Sequence, residues 1–204
     1  MIRSGRRIAN GLNIRNRLVI MVKEPQAGRV KTRLGHDIGM TNAAWWFRHQ
    51  TKRLIRELSP DPRWQLRLSV SPAPSALYSR TWPVGVLCDA QISGDLGVRM
   101  RHVFETSPRG PVVLIGGDIP GVTPAIIQDA FRKLANHDCV FGPAEDGGFW
   151  LVGMRRSKPL PTNLFKDVCW SCPDTLTDTL KTLGDASVAF VATLRDVDTA
   201  AELP

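Results

Sequence analysis

Short apolar runs alternate along the chain with stretches in which apolar residues recur every three or four positions, and polar segments rich in Pro and Gly separate them. The short runs suit strands buried on both faces, and the longer spacing suits helices with one buried stripe. Leu18 to Val22 reads as the first strand, ended by Lys23-Glu24-Pro25 because proline cannot continue a central strand. From Thr41 the positions Ala44, Phe47, Thr51, Leu54, Ile55 and Leu58 form one helix face, stopped by Ser59-Pro60-Asp61-Pro62. The alternation then repeats. Leu66 to Val70 and Val84 to Leu87 read as strands, and Leu96, Met100, Val103 and Phe104 mark a helix beginning near Gly94-Asp95. Val112 to Ile115 is the next strand, and Thr123-Pro124 opens a helix with Thr as its cap and Pro at its first position. Cys139 to Phe141 and Phe149 to Val152 flank a polar Gly-rich loop. Leu176, Leu180 and Leu183 define a helix from about Cys172-Pro173, and Val188 to Val191 closes the series. Strands alternating with helices predict an α/β sandwich around a mostly parallel sheet.

A length of 204 residues fits one domain, and no apolar run approaches the ~18 residues of a membrane-spanning helix. A net charge of +8 raises the question of nucleic acid, but five arginines, Arg3, Arg6, Arg7, Arg15 and Arg17, carry most of it within an opening stretch that has no Asp or Glu. Residues 1–16 are therefore expected to be a basic tail, residues 17–204 the domain, and nucleic acid no partner of the core, which has no nucleic-acid-binding signature. Four cysteines are too few and scattered for a disulfide framework, so a cytoplasmic location is expected. Cys169-Trp170-Ser171-Cys172 matches C-x-x-C, but it falls late in the chain and no second pair completes a zinc site, so it reads as structural.

In an open α/β sheet the ligand site lies beyond the carboxyl ends of the strands, so the polar residues there are informative. The first such segment, Lys23 to Leu34, gathers Lys23, Arg29, Lys31 and Arg33 around Gly28 and Thr32, a composition suited to phosphates. It is neither a Walker A loop nor a dinucleotide fingerprint. The second, Gly116-Gly117-Asp118-Ile119-Pro120, delivers a carboxylate suited to Mg²⁺ or Mn²⁺. The third, Glu145-Asp146-Gly147-Gly148 followed by Phe149 and Trp150, could bind hydroxyls, a metal or a cation beside a stacking face; it also reads as a hairpin turn with buried aromatics. The fourth, Arg195-Asp196-Val197-Asp198-Thr199, offers Asp198 as a helix cap or a metal ligand.

Taken in order, Lys23 to Leu34, Gly94 to Met100, Val113 to Pro120, Gly142 to Gly148 and Asp196 to Thr199 resemble the motifs of a bacterial transferase family with the GT-A, or nucleotide-diphospho-sugar transferase, fold, called radical-SAM/selenodomain-associated transferase 1. The Lys31-Thr32-Arg33-Leu34 loop is also similar to that of 2-phospholactate guanylyltransferases, and Asp196 to Thr199 to the end of sugar-acid cytidylyltransferases. The resemblance implies Asp118 and Asp198 as the metal pair, binding Mg²⁺ or Mn²⁺. The expected donor site is Lys23, Gly28, Arg29, Lys31, Thr32, Arg33 and Asp95, and the expected acceptor site Glu145, Gly147 and Gly148. Asp146 and Lys31 are the candidate catalytic residues. Where relatives more often have Pro-Trp-Ser-Thr, this chain has Cys169-Trp170-Ser171-Cys172. The expected activity is metal-dependent transfer of a sugar from a nucleotide sugar to a small-molecule acceptor. Two alternatives are transfer of a nucleotide from a nucleoside triphosphate to a phosphorylated or carboxylated small molecule, and nucleotide sensing without turnover.

Overall fold

The structure is a computed structural model that describes residues 15–203; the expected tail lies outside the described residues except for Arg15 and Asn16. The elements run β1 (Asn16–Lys23), α1 (Thr32–Ile38), α2 (Met40–Leu58), β2 (Trp64–Ser71), α3 (Ser75–Tyr78), β3 (Leu87–Ala90), α4 (Leu96–Thr106) and β4 (Val112–Gly116). They continue with α5 (Pro124–Lys133), β5 (Cys139–Pro143), β6 (Phe149–Met154), α6 (Thr175–Lys181), β7 (Val188–Phe190) and a single 3-10 turn at Ala200–Glu202. The strands form one seven-stranded sheet in the order β3-β2-β1-β4-β6-β5-β7. Only β6 runs against its neighbours, pairing antiparallel with β4 and β5. This is the expected α/β sandwich around a mostly parallel sheet.

Residue alternation along the strands builds two apolar layers. Leu18, Ile20 and Val22 of β1 face one way, against Leu54, Ile55 and Leu58 of α2 and Ile127, Ala130 and Phe131 of α5. Val19 of β1, Val112 and Leu114 of β4, and Phe141 of β5 face the other way, against Met100 and Phe104 of α4. Each such side chain removed from water contributes roughly 1.5–3 kcal/mol, so the layers fix which strand ends can meet. Because β6 is antiparallel, it begins where β1, β4 and β5 end. Its preceding loop, Ala144 to Gly148, therefore arrives beside Gly116 rather than at the far edge.

Three expectations are corrected. The strand expected at Val84 to Leu87 lies at Leu87–Ala90, pairing Arg67 to Val70 of β2, while Val84 is fully exposed on the turn before it. Gly85 has φ +87° in that turn, so the apolar run there is a bend with no sheet partner. A helix not foreseen, α1, starts inside the basic segment at Thr32, so Thr32 and Arg33 are helical rather than in a loop. The helix expected near Cys172-Pro173 begins at Thr175 and ends before Leu183.

Candidate active site

The site grows from a turn after β1. Arg29 N donates to Gln26 O at 3.0 Å with Gly28 at φ +75°, and Lys31 follows in the left-handed region at φ 45°, ψ 50°. For a residue with a β-carbon that conformation costs about 1 kcal/mol or more, and such strain persists where the surroundings hold it. Here they do. The Lys31 ammonium, its side chain 7% exposed, lies 2.7 Å from Asp118 Oδ2, 2.9 Å from Asp198 Oδ1 and 3.5 Å from Asp196 Oδ2. Burial alone would depress its pKa, but Asp118 and Asp198 outweigh that and hold it above the ordinary lysine value.

Asp118 is set by β4 and steadied from α2, where Thr51 Oγ1 donates to Gly117 O and Gln50 Nε2 donates to Ile119 O. Asp196 and Asp198 follow β7 in extended chain, with Val197 between them buried against Leu34 and Ala43. Alternation in extended backbone thus turns both acids toward Lys31 while the valine anchors the segment. Glu202 locks it further, accepting from the backbone N–H of Asp198 and of Thr199 at 2.8 Å each. Those two N–H donors lower the Glu202 pKa to about 2. Desolvation raises the Asp196 pKa, whereas at Asp198 the hydrogen bonds and charge of Lys31 and Arg33 overcome desolvation and lower it.

Two adjoining cavities open at this wall. The first, of about 580 Å³, is lined by Lys23, Arg29, Lys31, Thr32, Arg33, Arg99, Asp118 and Asp198 among others. The second, of about 260 Å³, is lined mainly by apolar side chains, including Met21, Leu96, Met100, Phe149 and Trp170, with Asp118, Asp146 and Asp196 at its polar side. Asp118 and Asp196 belong to both.

The structure therefore gathers Lys23, Arg29, Lys31, Thr32 and Arg33 with Asp118 and Asp198, and sets Asp146 and Gly148 across the wall from them. Gly28 shapes the turn without lining either cavity. Asp95 is the N-cap of α4, accepting from Val98 N at 2.8 Å. Glu145 is exposed and turned to Arg195, 3.7 Å away. Gly147 has φ +86°, and a β-carbon there would stand 2.0 Å from the carbonyl oxygen of Pro173, so the loop packs directly on the chain entering α6. Asp146 is fixed by Gly148 N, which donates to its Oδ1 at 2.9 Å. Of the two aromatics considered, Trp150 is buried with Nε1 donating to Ala192 O, and Phe149 stands edge-on to Trp170 at 6.4 Å between ring centroids.

Asp196, Arg99, Trp170, Met21 and Met100 were not foreseen. The Asp-x-Asp spacing could have revealed Asp196, since period-two chain turns both acids one way. The sequence signal at Trp170 was its place in the segment where relatives more often have Pro-Trp-Ser-Thr; its ring packs on α4 at Gly97, where a β-carbon would lie 2.7 Å from it. Cys169 and Cys172 flank it as free thiols, Cys172 Sγ donating to Cys169 O, and the hydrogen bond between their side chains raises the Cys169 pKa. A raised pKa disfavours the thiolate that redox exchange requires.

The donor set suits a hard divalent cation in one respect. Asp118 and Asp198 already converge on a single positive charge, and carboxylate oxygens are the ligands Mg²⁺ and Mn²⁺ prefer. Among the described residues, however, no group of three or more His, Cys, Asp or Glu is arranged to hold a metal, so substrate oxygens would have to complete the shell. No helix is long and apolar enough to cross a membrane, among the described residues.

The seven-stranded sheet and the cleft at its strand ends define a GT-A-like fold of the nucleotide-diphospho-sugar transferase type. The chain belongs to a family described as uncharacterized proteins conserved in bacteria (DUF2064), whose model matches residues 54–172. A solved structure from Desulfovibrio desulfuricans G20, of a protein described as a candidate nucleotide-diphospho-sugar transferase, is 29% identical with a TM-score of 0.78, over 90% of this chain and 82% of that one. Two more distant structures share the fold alone. Glucosyl-3-phosphoglycerate synthase from Mycobacterium tuberculosis, solved with Mn²⁺, UDP and glucosyl-3-phosphoglycerate, is 13% identical with a TM-score of 0.55, covering 90% of this chain and 71% of that one. The inositol-1-phosphate CTP transferase of T. maritima is 13% identical with a TM-score of 0.57, covering 92% and 91%. No curated protein matches.

Proposed function

We propose that the chain is a metal-dependent transferase that moves a sugar from a nucleotide sugar to a small-molecule acceptor, as the resemblance to the radical-SAM/selenodomain-associated transferases implies. One observation carries this reading: a cation-rich cavity and an apolar cavity share a wall formed by Asp118 and Asp196. The cations suit the diphosphate of a donor, and the second cavity suits a different kind of molecule held against it.

Lys23, Arg29 and Arg33 bind the donor's phosphates, and Lys31 neutralises charge as the leaving group forms. Asp118 and Asp198 are the residues that would hold a divalent ion, which would supply further neutralisation of charge on the leaving group. Asp146 accepts the acceptor's hydroxyl proton as its oxygen attacks the anomeric carbon. The bond from that carbon to the phosphate oxygen breaks, and its electron pair leaves with the nucleoside diphosphate. Asp196 holds Lys31 in place. Nucleotidyl transfer is the second reading, favoured by the number of cations in the first cavity, which also suits a triphosphate.

Thermal unfolding with nucleotide sugars and nucleoside triphosphates, each with and without Mg²⁺ or Mn²⁺, tests this, since a specific ligand raises Tm by mass action. A metal-dependent shift with a nucleotide sugar is expected, and Asp118→Ala should abolish its metal dependence. A shift with triphosphates alone would turn the reading to nucleotidyl transfer. No shift with any donor would remove it.

A further inference from the structure

The two cavities differ in charge as sharply as in polarity, and that difference bears on what the smaller one can hold. The larger carries Lys23, Arg29, Lys31, Arg33 and Arg99. Among the described residues the smaller is lined by no Lys, Arg or His at all, and its only ionisable side chains are Asp118, Asp146 and Asp196. Its remaining wall is mostly apolar, with Ser171 and Thr175 as the other polar side chains. Phe149 and Trp170 meet nearly perpendicular, with an interplanar angle of 67°. Met21 and Met100, flexible thioethers that adapt to an aromatic edge, line the same space.

We propose that this cavity takes a small molecule with an aromatic or branched aliphatic body whose polar end is an amine or a hydroxyl, and that it rejects phosphates and carboxylates. An anionic end would face three carboxylates with no cation on its own side, because the Lys31 ammonium is already engaged by Asp118, Asp196 and Asp198. A hydroxyl or ammonium instead donates to a carboxylate. That this molecule is the acceptor rests on the transferase reading; that it binds here does not. If it is the acceptor, a phosphorylated or carboxylated one is disfavoured there relative to an alcohol or amine, and nucleotidyl transfer to such a molecule with it.

Three probes with one apolar body and different ends separate these cases: phenethylamine, 2-phenylethanol and phenylacetate, titrated against the full chain by ligand-observed NMR. The amine and the alcohol should bind, the amine roughly tenfold or more tighter than phenylacetate. Trp170→Ala should weaken amine and alcohol alike, with Trp170→Phe giving a smaller loss should the alanine variant misfold. Asp146→Asn should narrow the gap between amine and phenylacetate, because it removes one of the three negative charges of the lining. Phenylacetate binding as tightly as the amine overturns the proposal, as does unchanged affinity in the Trp170 variants or no binding of amine and alcohol at millimolar concentration. A parallel titration with UDP and the other nucleoside diphosphates reports on the basic cavity. Failed binding of UDP and of the other nucleoside diphosphates, with probes that behave as described, would remove the transferase reading and leave this site standing; the reverse would remove only this site.

Discussion

Lys31 bears two burdens at once, holding three acids together and standing at the head of the cation-rich cavity. Replacing it by alanine leaves Asp118, Asp196 and Asp198 without their common counter-charge. Because those carboxylates are about a quarter to a third exposed, water screens part of the loss, and destabilisation of about 1–2 kcal/mol is expected rather than the roughly 3–5 of a fully buried pair. Donor affinity measured by titration should fall much further than affinity for a ligand of the apolar cavity. Equal losses would show that Lys31 serves only the acids. Glu202 makes a separate prediction, through pH. Its pKa is lowered from 4.5 to about 2 by the N–H groups of Asp198 and Thr199, so its stabilising contribution is complete above pH 4.5 and is lost as pH falls toward 2. Glu202→Gln should therefore flatten the fall of stability across that window in chemical denaturation, and an unchanged profile would place the linkage elsewhere.

At the scale of elements, α4 tests whether a motif residue acts on ligand or on chain. Asp95 receives Val98 N at the start of α4, the helix whose Gly97 seats Trp170 and whose Met100 lines the apolar cavity. Asp95→Ala should cost about 1 kcal/mol in denaturation, and Asp95→Ser, another good cap, should restore most of it. Nucleotide affinity that follows the same order assigns Asp95 to capping. Affinity lost in both variants assigns it to the donor site. Helices such as α5 were legible in the sequence because start signal and secondary-structure pattern agree: Thr123 caps α5 with Pro124 behind it, as the dipeptide predicts. The basic cavity was legible for a related reason, since its cations cluster within one segment after β1. β3 was misplaced because Val84 is as apolar as a core residue and only the missing sheet partner excludes it. Of the apolar cavity only the side from Asp146 to Trp150 was legible. Met21, Met100, Phe149 and Trp170 come from four separate segments, and what joins them is the antiparallel course of β6 together with the close approach at Gly97.

For the whole molecule the remaining question is where its basic character acts. Among the described residues several of the core's cations are matched, Lys31 and Arg33 by Asp198 and Arg67 by Asp89. Arg3, Arg6 and Arg7 have no acid near them in sequence, and removing residues 1–14 takes the formal charge from +8 to +5. We expect a chain beginning at Arg15 to keep its Tm and its nucleotide response, because β1 starts at Asn16 and Arg17 N is bonded to Pro111 O. Any RNA binding by the full chain should be salt-steep and should fall with those arginines, since every phosphate left without a cation reduces the slope of log K against log salt by about 0.7 to 0.9. Fluorescence anisotropy of both chains at several salt concentrations measures that slope. Equal slopes would locate the polyanion surface in the core, and competition by nucleotide would then show whether it includes the cation-rich cavity; a slope that vanishes with the first 14 residues would leave that cavity to the nucleotide.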